Sequence, residues 1–300
     1  MKFWFLARSL GVFNFAKDYF CRNASYSSSW KSIFNKDKLN NKTRKGDFIM
    51  YENVKMENMT WREFAKKKDD VIILPIGSTE QHGPHLPTCV DTVIANGFAY
   101  RIAEKINGVV APALSYGYKS KPLSGGGPLF PGTIDLNGAT LQALVMDIID
   151  EFVRDGFTKI FILSAHFENE AFIVEAMDLC SAKYGDKVQL LLTNWWDPMS
   201  PDVIDKVFDE VPFPGWALEH AAVTETSLMM YFAPELVRED KIMDTENASP
   251  ATYYRYPIEK DIVPETGILA SAKSSSAERG KIIVDDVIPN IIEIIDKAFK

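Results

Sequence analysis

Short apolar runs alternate with longer segments of helical periodicity, and this alternation constrains the fold more than any other feature. Four apolar runs occur, at 71–77 (VIILPIG), 108–114 (GVVAPAL), 159–165 (KIFILSA) and 188–196 (VQLLLTNWW). Continuous apolar runs bounded by Gly and Pro are typical of strands buried on both faces. Segments with helical spacing separate them, at 90–106, 140–157 and 169–185. The sequence predicts an α/β fold with three layers, α/β/α, around a mainly parallel central sheet.

Two helix ends can be assigned from local signals. Residues 56–68 (MENMTWREFAKKK) predict a short helix with Asn58 or Thr60 as its N-cap. The amphipathic helix at 140–157 is expected to close at Gly156, because glycine readily adopts the left-handed conformation that ends helices.

The composition excludes several classes of protein. The chain has 300 residues, 46% hydrophobic and 25% charged, and no apolar run approaches the length needed to cross a membrane. Its three cysteines (Cys21, Cys89 and Cys180) form no CxxC pair. We therefore expect a protein of a reducing compartment, placed in the cytoplasm, without a disulfide framework.

Charge is unevenly distributed along the chain. Residues 1–49 contain ten Lys and Arg against three Asp, a net charge of +7, whereas the whole chain carries −8. Residues 50–300 therefore carry −15. An acidic body disfavours nucleic acid and anionic membrane surfaces as partners, and it is compatible with a neutral or cationic small substrate.

The first 49 residues differ from the rest and are set apart from the fold. They mix aromatic residues with scattered basic ones and continue as a Ser/Asn/Lys-rich stretch, without the apolar core and cleavage site of a secretory signal. Two interpretations stay open: a transit peptide, or an extension upstream of a natural start at Met50 or Met56. We expect a disordered or non-native extension, followed by a single domain over 50–300.

A polar segment carrying two histidines and two carboxylates follows the first predicted strand. The stretch STEQHGPHLPTCVD, residues 78–91, contains Glu80, His82, His85 and Asp91, although the chain has only four histidines. Residues two apart in extended backbone point the same way, so Glu80 and His82 should share one space. We expect Asp91 to reach back from the start of the next helix.

A second acid–histidine pair follows the third predicted strand. His166 and Glu168 again lie two apart beyond the strand's carboxyl end, the edge where open α/β sheets bind ligands. Imidazole and carboxylate together suit Zn²⁺ or Mn²⁺. Five such groups exceed what one catalytic zinc needs and match two metals bridged by a carboxylate, with Asp91 as the expected bridge. They are Glu80, His82, Asp91, His166 and Glu168.

The other two histidines, His85 and His220, each allow more than one interpretation. His85 could bind a metal ion itself, orient a residue that binds one, or simply pack within its loop. His220, between Glu219 and the nearby Glu225, could deliver a proton to a leaving nitrogen, or could simply be a histidine at a helix start. Tryptophans near it in sequence could line a core or clamp a flat ligand.

Taken together, the motifs resemble the creatininase (creatinine amidohydrolase) family from about Met56 to the C-terminus. The matching stretches are GSTEQHGPHLP, YGYKS, SGGGPLFPGT, AHFEN, EH, ETSLM and PELV. The resemblance implies an α/β/α fold, a dinuclear Zn/Mn site and a homo-oligomer, commonly a hexamer. It also implies that Glu80, Asp91 and His166 bind one metal, and that His82, Asp91 and Glu168 bind the other.

The same resemblance assigns the residues that face the substrate. Trp196 and Trp216 fall where creatininase closes on the flat creatinine ring, and Ser124 falls in the substrate-side loop. His220 corresponds to the proposed proton-shuttling residue, so His220 and Glu168 are the expected catalytic groups. One departure is visible: creatininases usually read N-G-H-Y where this chain has SAHF, residues 164–167.

The expected reaction is hydrolysis of creatinine to creatine by a hydroxide that bridges two metal ions. Two alternatives stay open: hydrolysis of another small amide, such as a formamide or a lactam in heterocycle metabolism, and metal binding without catalysis on the same scaffold. Phosphate-bearing substrates would need basic groups, for which Lys119 and Lys121 are the obvious candidates. We interpret both lysines as solvated loop charges.

Overall fold

Four parallel strands form the central sheet, in the order β2-β1-β3-β4. The computed structural model describes residues 51–121, 124–249, 252–259 and 262–300. Its strands are β1 (Ile72–Ile76), β2 (Val109–Val110), β3 (Lys159–Ser164) and β4 (Gln189–Asn194). The predicted parallel sheet is confirmed. The extension predicted for 1–49 lies outside the described residues, and the single domain over 50–300 stays a prediction.

Strand β2 is much shorter than the predicted run at 108–114. Its ladder with β1 pairs only Ile72 with Val109 and Ile73 with Val110, and an isolated bridge joins Ile76 to Leu114. Between these two contacts the register slips by one residue: the N–H groups of Val109 and Ala111 donate to the β1 segment, but the next donor is Leu114, to the Pro75 carbonyl oxygen at 3.0 Å, where residue 113 would continue the alternation.

Seven α-helices are found in the described part of the chain. They are α1 (Trp61–Phe64), α2 (Val90–Ile106), α3 (Gly138–Arg154), α4 (Glu170–Tyr184), α5 (Pro201–Val207), α6 (Val223–Phe232) and α7 (Ala277–Ala298). Thr60 caps α1 in a capping box with Glu63, and Gly156 has a φ of 99° just beyond α3, so both predicted ends are confirmed. None of the helices in the described ranges is long and apolar enough to cross a membrane.

The two faces of the sheet support two separate cores. Alternate residues of a strand point to opposite faces, so Ile72 and Leu74 pack with α3 and α4. Ile73 packs on the other face with α2, α6 and α7. Helices therefore cover both faces, which gives the predicted three layers.

The C-terminal helix α7 completes one of these layers. Ser276 caps it by accepting a hydrogen bond from the Arg279 backbone N–H at 3.1 Å. Helix α7 packs closely on α6: a Cβ on Gly280 would lie 2.2 Å from the Ser227 carbonyl oxygen. Helices α5, α6 and α7 were not predicted from the sequence. For α7 the signal was present, since isoleucine and valine recur at helical spacing through 282–295.

Candidate metal centre

The two acid–histidine pairs lie at the same edge of the sheet. Strands β1 and β3 are neighbours, and Ile76, the last residue of β1, pairs with Ser164, the last residue of β3. The chain segments that leave these two ends carry Glu80 with His82 and His166 with Glu168. Parallel pairing in this register therefore brings the two segments together.

Asp91 reaches this edge from the first turn of α2. The helix can approach because residue 77 is glycine: a Cβ there would lie 2.5 Å from the Thr92 nitrogen and 2.7 Å from the Asp91 carbonyl carbon. Both atoms belong to the backbone and cannot rotate aside. The missing side chain at Gly77 thus allows Asp91 to lie beside the strand end.

One group of ligand-type side chains is centred on His166. Its Nδ1 lies 2.9 Å from Glu80 Oε1 and 3.2 Å from Asp91 Oδ2. All three residues are buried, and their ligand atoms lie within 4.8 Å of one another, a spacing that could hold a metal ion. On the other side of the ring, Nε2 lies 2.8 Å from the Tyr118 carbonyl oxygen and so can donate to it.

A second group is centred on His82. Its Nε2 lies 3.1 Å from Asp91 Oδ1 and 3.5 Å from Glu225 Oε2. These three residues also meet the spacing for a metal ion. Asp91 therefore presents one carboxylate oxygen to each histidine. His82 Nδ1 lies 3.2 Å from the Glu80 carbonyl oxygen, which orients the ring.

Glu225 is the ligand-type residue that sequence reasoning did not assign to the centre. It projects from the first turn of α6, and its Oε2 accepts a hydrogen bond from the Ala221 backbone N–H at 2.7 Å. Within the motif EHAAVTETS it was recognised only as a neighbour of His220. The only local signal in the sequence was an acidic residue in a mostly apolar stretch near a histidine.

Glu168 lies between His166 and the loop that carries Ser124. Its Oε2 lies 3.4 Å from His166 Nε2, and its Oε1 accepts hydrogen bonds from the Ser124 hydroxyl and from the Lys121 backbone N–H. The group around His82 and Asp91 contains Glu225 and not Glu168. Ligation of the second ion by Glu168 stays a prediction.

The donor set fits divalent cations on two counts. Buried polar atoms are normally hydrogen-bonded, yet several at this centre have no hydrogen-bond partner among the described residues: Glu80 Oε2, His82 Nε2, Asp91 Oδ1 and Asp91 Oδ2. Carboxylate oxygens and imidazole nitrogens are also the ligands that Zn²⁺ and Mn²⁺ bind in proteins.

The pKa shifts at the centre show that its buried carboxylates stabilise positive charge between them. Burial alone would lower the pKa of His166, but Glu80 and Asp91 outweigh it and raise the pKa well above its usual value. Burial would also lower the pKa of His82, but Glu225 and Asp91 outweigh it, so this pKa is raised as well. Burial would raise the pKa of Glu80, but the neighbouring histidines hold it well below its usual range.

A narrow cleft opens beside these groups, and the space between its atoms, including the part that is open solvent, is about 410 Å³. Every residue predicted to face the substrate lines it, namely Ser124, Glu168, Trp196, Trp216 and His220. One wall is aromatic: the rings of Phe167 and Trp196 stack at 6.0 Å, and those of Trp196 and Trp216 lie 6.4 Å apart. Such a wall suits a flat ligand.

The structure also places His85 and His220. His85 is fully buried, and its Nε2 lies 2.9 Å from the Thr226 hydroxyl, so it packs α6 against the loop and belongs to neither group. His220 lines the cleft, its Nδ1 lies 3.9 Å from Glu80 Oε1, and its ring lies 4.4 Å from that of His82. With Glu80 and His82 it forms a third buried group whose spacing could hold a metal ion. Burial and the charge of His82 lower the pKa of His220.

Comparison with known proteins identifies the family. The sequence profile of the Creatininase family, described as creatinine amidohydrolase, matches residues 57–295. The chain belongs to the creatininase family. Creatinine amidohydrolase of Pseudomonas putida is 38% identical over 258 residues, which cover 83% of this chain and 99% of that protein. The chain is therefore an enzyme of this family, a hydrolase.

Solved creatininases share the fold. A mutant creatininase complexed with creatine matches with a TM-score of 0.79 at 38% identity, over 82% of this chain and 98% of the other. Creatininases solved in a zinc–zinc form and in a manganese form match equally well, each with a TM-score of 0.79. A relative with a different name is 3-dehydro-scyllo-inosose hydrolase of Thermotoga maritima, which is 26% identical over 81% of this chain and 82% of that protein.

Proposed function

We propose that this creatininase-family hydrolase opens the ring of creatinine with water to give creatine, at a centre that holds two divalent metal ions. The observation that carries the proposal is the sharing of Asp91 between two buried groups of ligands. Zn²⁺ and Mn²⁺ are the candidate ions, by donor chemistry and by the metal forms of the related creatininases.

The proposed ligands follow the two groups. Glu80, Asp91 and His166 would hold one ion, while His82, Asp91 and Glu225 would hold the other. When bound, a pair of such ions supplies Lewis-acid polarisation of a carbonyl and a water acidic enough to ionise near neutral pH. Glu168, beside His166 and fixed by Ser124, either adds a ligand or accepts a proton at the same edge.

The aromatic wall would orient the substrate. Trp196, Trp216 and Phe167 offer flat faces to a planar ring and exclude water from the reacting carbon. Opening a lactam converts the ring nitrogen into a leaving group that must gain a proton. His220 lines the same cleft and carries that proton in the proposed reaction.

A second substrate class is favoured by one residue. Phe167 stands where creatininases usually carry tyrosine; it lines the cleft, and the residue is 44% exposed. Without the hydroxyl, one polar contact to the ligand is missing, which favours a less polar cyclic amide. A homo-oligomer and a cytoplasmic location stay predictions.

The test combines metal analysis with turnover on one sample. Chelator-treated protein, reloaded with Zn²⁺ or Mn²⁺, should convert creatinine to creatine and retain two ions per chain. His166→Ala should lose at least one ion and reduce kcat by about 10³-fold or more. His85→Gln is the matched control, since His85 is a buried histidine of neither group, and should keep both ions.

Other outcomes of this test would contradict different parts of the proposal. Turnover of less polar lactams without turnover of creatinine would favour the second substrate class, whereas turnover of formamides alone would reject ring opening as the reaction. Two bound ions with no turnover of any amide would reject the proposed reaction. Full activity and metal content in His166→Ala would reject the centre itself.

A further inference from the structure

Gln81 lies between the ligands Glu80 and His82 in sequence, but its amide group binds two distant loops. Its Nε2 donates to the carbonyl oxygen of Gly125 at 2.7 Å and to that of Gly267 at 2.9 Å. Its Oε1 accepts a hydrogen bond from the backbone N–H of Gly83 at 2.9 Å. These three contacts fix which end of the amide is nitrogen, because exchanging the ends would set oxygen against two carbonyl oxygens.

The ring of His220 lies against the same residue. His220 Nε2 is 2.8 Å from the Gln81 backbone carbonyl oxygen and 2.9 Å from the Gln81 side-chain nitrogen. The first contact requires a proton on Nε2, whereas the second requires a lone pair there. The two contacts demand opposite tautomers, so only one of them is a hydrogen bond.

Counting hydrogens decides between the tautomers. A glutamine amide has two N–H groups, and the carbonyls of Gly125 and Gly267 use both. With Nε2–H on His220, all three carbonyls, those of Gly125, Gly267 and Gln81, receive a donor. With the lone pair on Nε2, the Gln81 carbonyl loses its donor, and either that lone pair or one of the glycine carbonyls also stays without a donor. That alternative leaves two buried acceptors unpaired, which is costly.

We infer that Gln81 is a positioning residue that holds His220 as its Nε2–H tautomer, so that Nδ1 carries the lone pair beside Glu80 and is the atom that exchanges the proton. The backbone carbonyl of Gln81 sets the tautomer, and its side-chain amide keeps the two loops closed around the ring. The inference rests on the proposed function, since it names the proton-carrying atom of His220 in that reaction.

Two glycines make the close packing of these loops possible. Gly267 has a φ of 75°, and a Cβ there would lie 2.0 Å from Gln81 Oε1. Gly125 has a φ of 136°, and a Cβ there would lie 3.2 Å from His220 Cε1 and 2.5 Å from Ser120 Oγ. Backbone, rather than side chains, therefore surrounds Gln81 and one edge of the His220 ring, which restricts rotation of the ring.

Nitrogen NMR of the intact enzyme tests the tautomer directly. Protein loaded with diamagnetic Zn²⁺ and labelled with ¹⁵N-histidine has only four imidazoles to assign, and His220→Asn identifies the signal. At about pH 8, where an ordinary imidazole is neutral, His220 should show a protonated Nε2 and an unprotonated Nδ1. A protonated Nδ1 with an unprotonated Nε2 would overturn the inference.

Kinetics test the side-chain amide. Gln81→Glu keeps an acceptor for Gly83 but has no hydrogens for the two glycine carbonyls, and Gln81→Met removes both functions. Each variant should lower kcat about tenfold or more and change KM less than about threefold. Gln189→Met, the same substitution at an exposed site on β4, is the matched control. Full kcat in both Gln81 variants would overturn the role of the amide.

The two readouts separate this inference from the proposed reaction. If creatinine is not a substrate but His220 carries its proton on Nε2, the proposed function fails and the tautomer assignment stands. If creatinine is turned over while His220 carries its proton on Nδ1, the reaction stands and the role of Gln81 fails.

Discussion

The side chain of Asn169 donates a hydrogen bond to the carbonyl oxygen of Gly77 at 3.0 Å, which joins the segments leaving β3 and β1. The same amide accepts a hydrogen bond from the Tyr118 backbone N–H at 2.8 Å. Asn169 is fully buried. One amide thus ties both ligand-bearing segments to the loop whose Tyr118 carbonyl faces His166.

Replacing this amide with a carboxyl group should destabilise the protein and impair catalysis. In Asn169→Asp an ionised side chain cannot donate to Gly77, so two buried acceptors face each other. We expect a loss of about 2–4 kcal/mol in the free energy of unfolding, with kcat reduced at least about tenfold. Urea unfolding and steady-state kinetics measure the two effects.

Asn290→Asp is the matched control for this prediction. Asn290 also donates to a carbonyl oxygen, that of Pro198 at 2.9 Å, but it lies on α7 and does not line the cleft. It should lose stability while keeping kcat. Equal loss of kcat in both variants would show that stability alone, and not the link to Gly77, lowers activity.

Gly77→Ala should weaken metal binding, because the added Cβ would meet the backbone of α2 beside Asp91. Either the helix start or the strand end must shift, and ligands misplaced by a few tenths of an ångström bind poorly. We expect metal affinity to fall about tenfold or more. Competition with a chromophoric chelator measures the affinity.

Gly97→Ala provides the comparison on the same helix. The three atoms nearest to a Cβ at Gly97 all belong to the ring of Phe232, a side chain rather than backbone. Stability should change while metal affinity stays within about threefold of wild type. Unchanged affinity in Gly77→Ala would show that the close approach at Gly77 does not position Asp91.

Glu219→Gln should stabilise the metal-free protein increasingly as pH rises above 4.5. Burial and the nearby charge of Glu225 raise the pKa of Glu219 from 4.5 to about 8. Between these values the unfolded chain loses this proton while the folded protein keeps it, so wild-type stability falls as pH rises. At about 1.4 kcal/mol per pH unit, the difference should be on the order of 3 kcal/mol at pH 7.

Urea unfolding of chelator-treated protein at several pH values measures this difference. The amide can still accept the Thr224 backbone hydrogen bond that Glu219 Oε1 accepts at 2.7 Å. Glu235→Gln, at an exposed site on the surface, corrects for the loss of one negative charge. A stability difference that does not grow between pH 5 and pH 8 would contradict the raised pKa.

Phe167→Tyr should improve the use of creatinine if that is the substrate. The ring already stacks on Trp196 at 6.0 Å and borders the cleft, so a hydroxyl adds a polar contact without altering the packing. We expect kcat/KM for creatinine to rise about three- to tenfold, the value of one hydrogen bond. A fall in kcat/KM, with less polar cyclic amides preferred by wild type, would favour the second substrate class.

Much of the fold follows from local sequence, because it depends on patterns within one segment. The apolar runs predicted β1, β3 and β4 to within two residues, and helical spacing predicted α2 to the residue. Strand β2 was overestimated, since the apolar character of a run does not show where its pairing with β1 slips by one residue. The sequence also showed that a pair of ligand-type residues follows each of two strands, because each pair lies close to its strand in the chain. These pairs are Glu80 with His82 and His166 with Glu168.

Only the tertiary structure decided which of these groups meet. Glu225 joins His82 and Asp91 because α6 packs against α2 and α7, and no local pattern encodes that packing. The same holds for Gln81, whose partners Gly125, Gly267 and His220 come from distant loops. Periodicity and turn chemistry act between neighbours in sequence, whereas a metal centre is assembled by contacts that form only when the layers pack together.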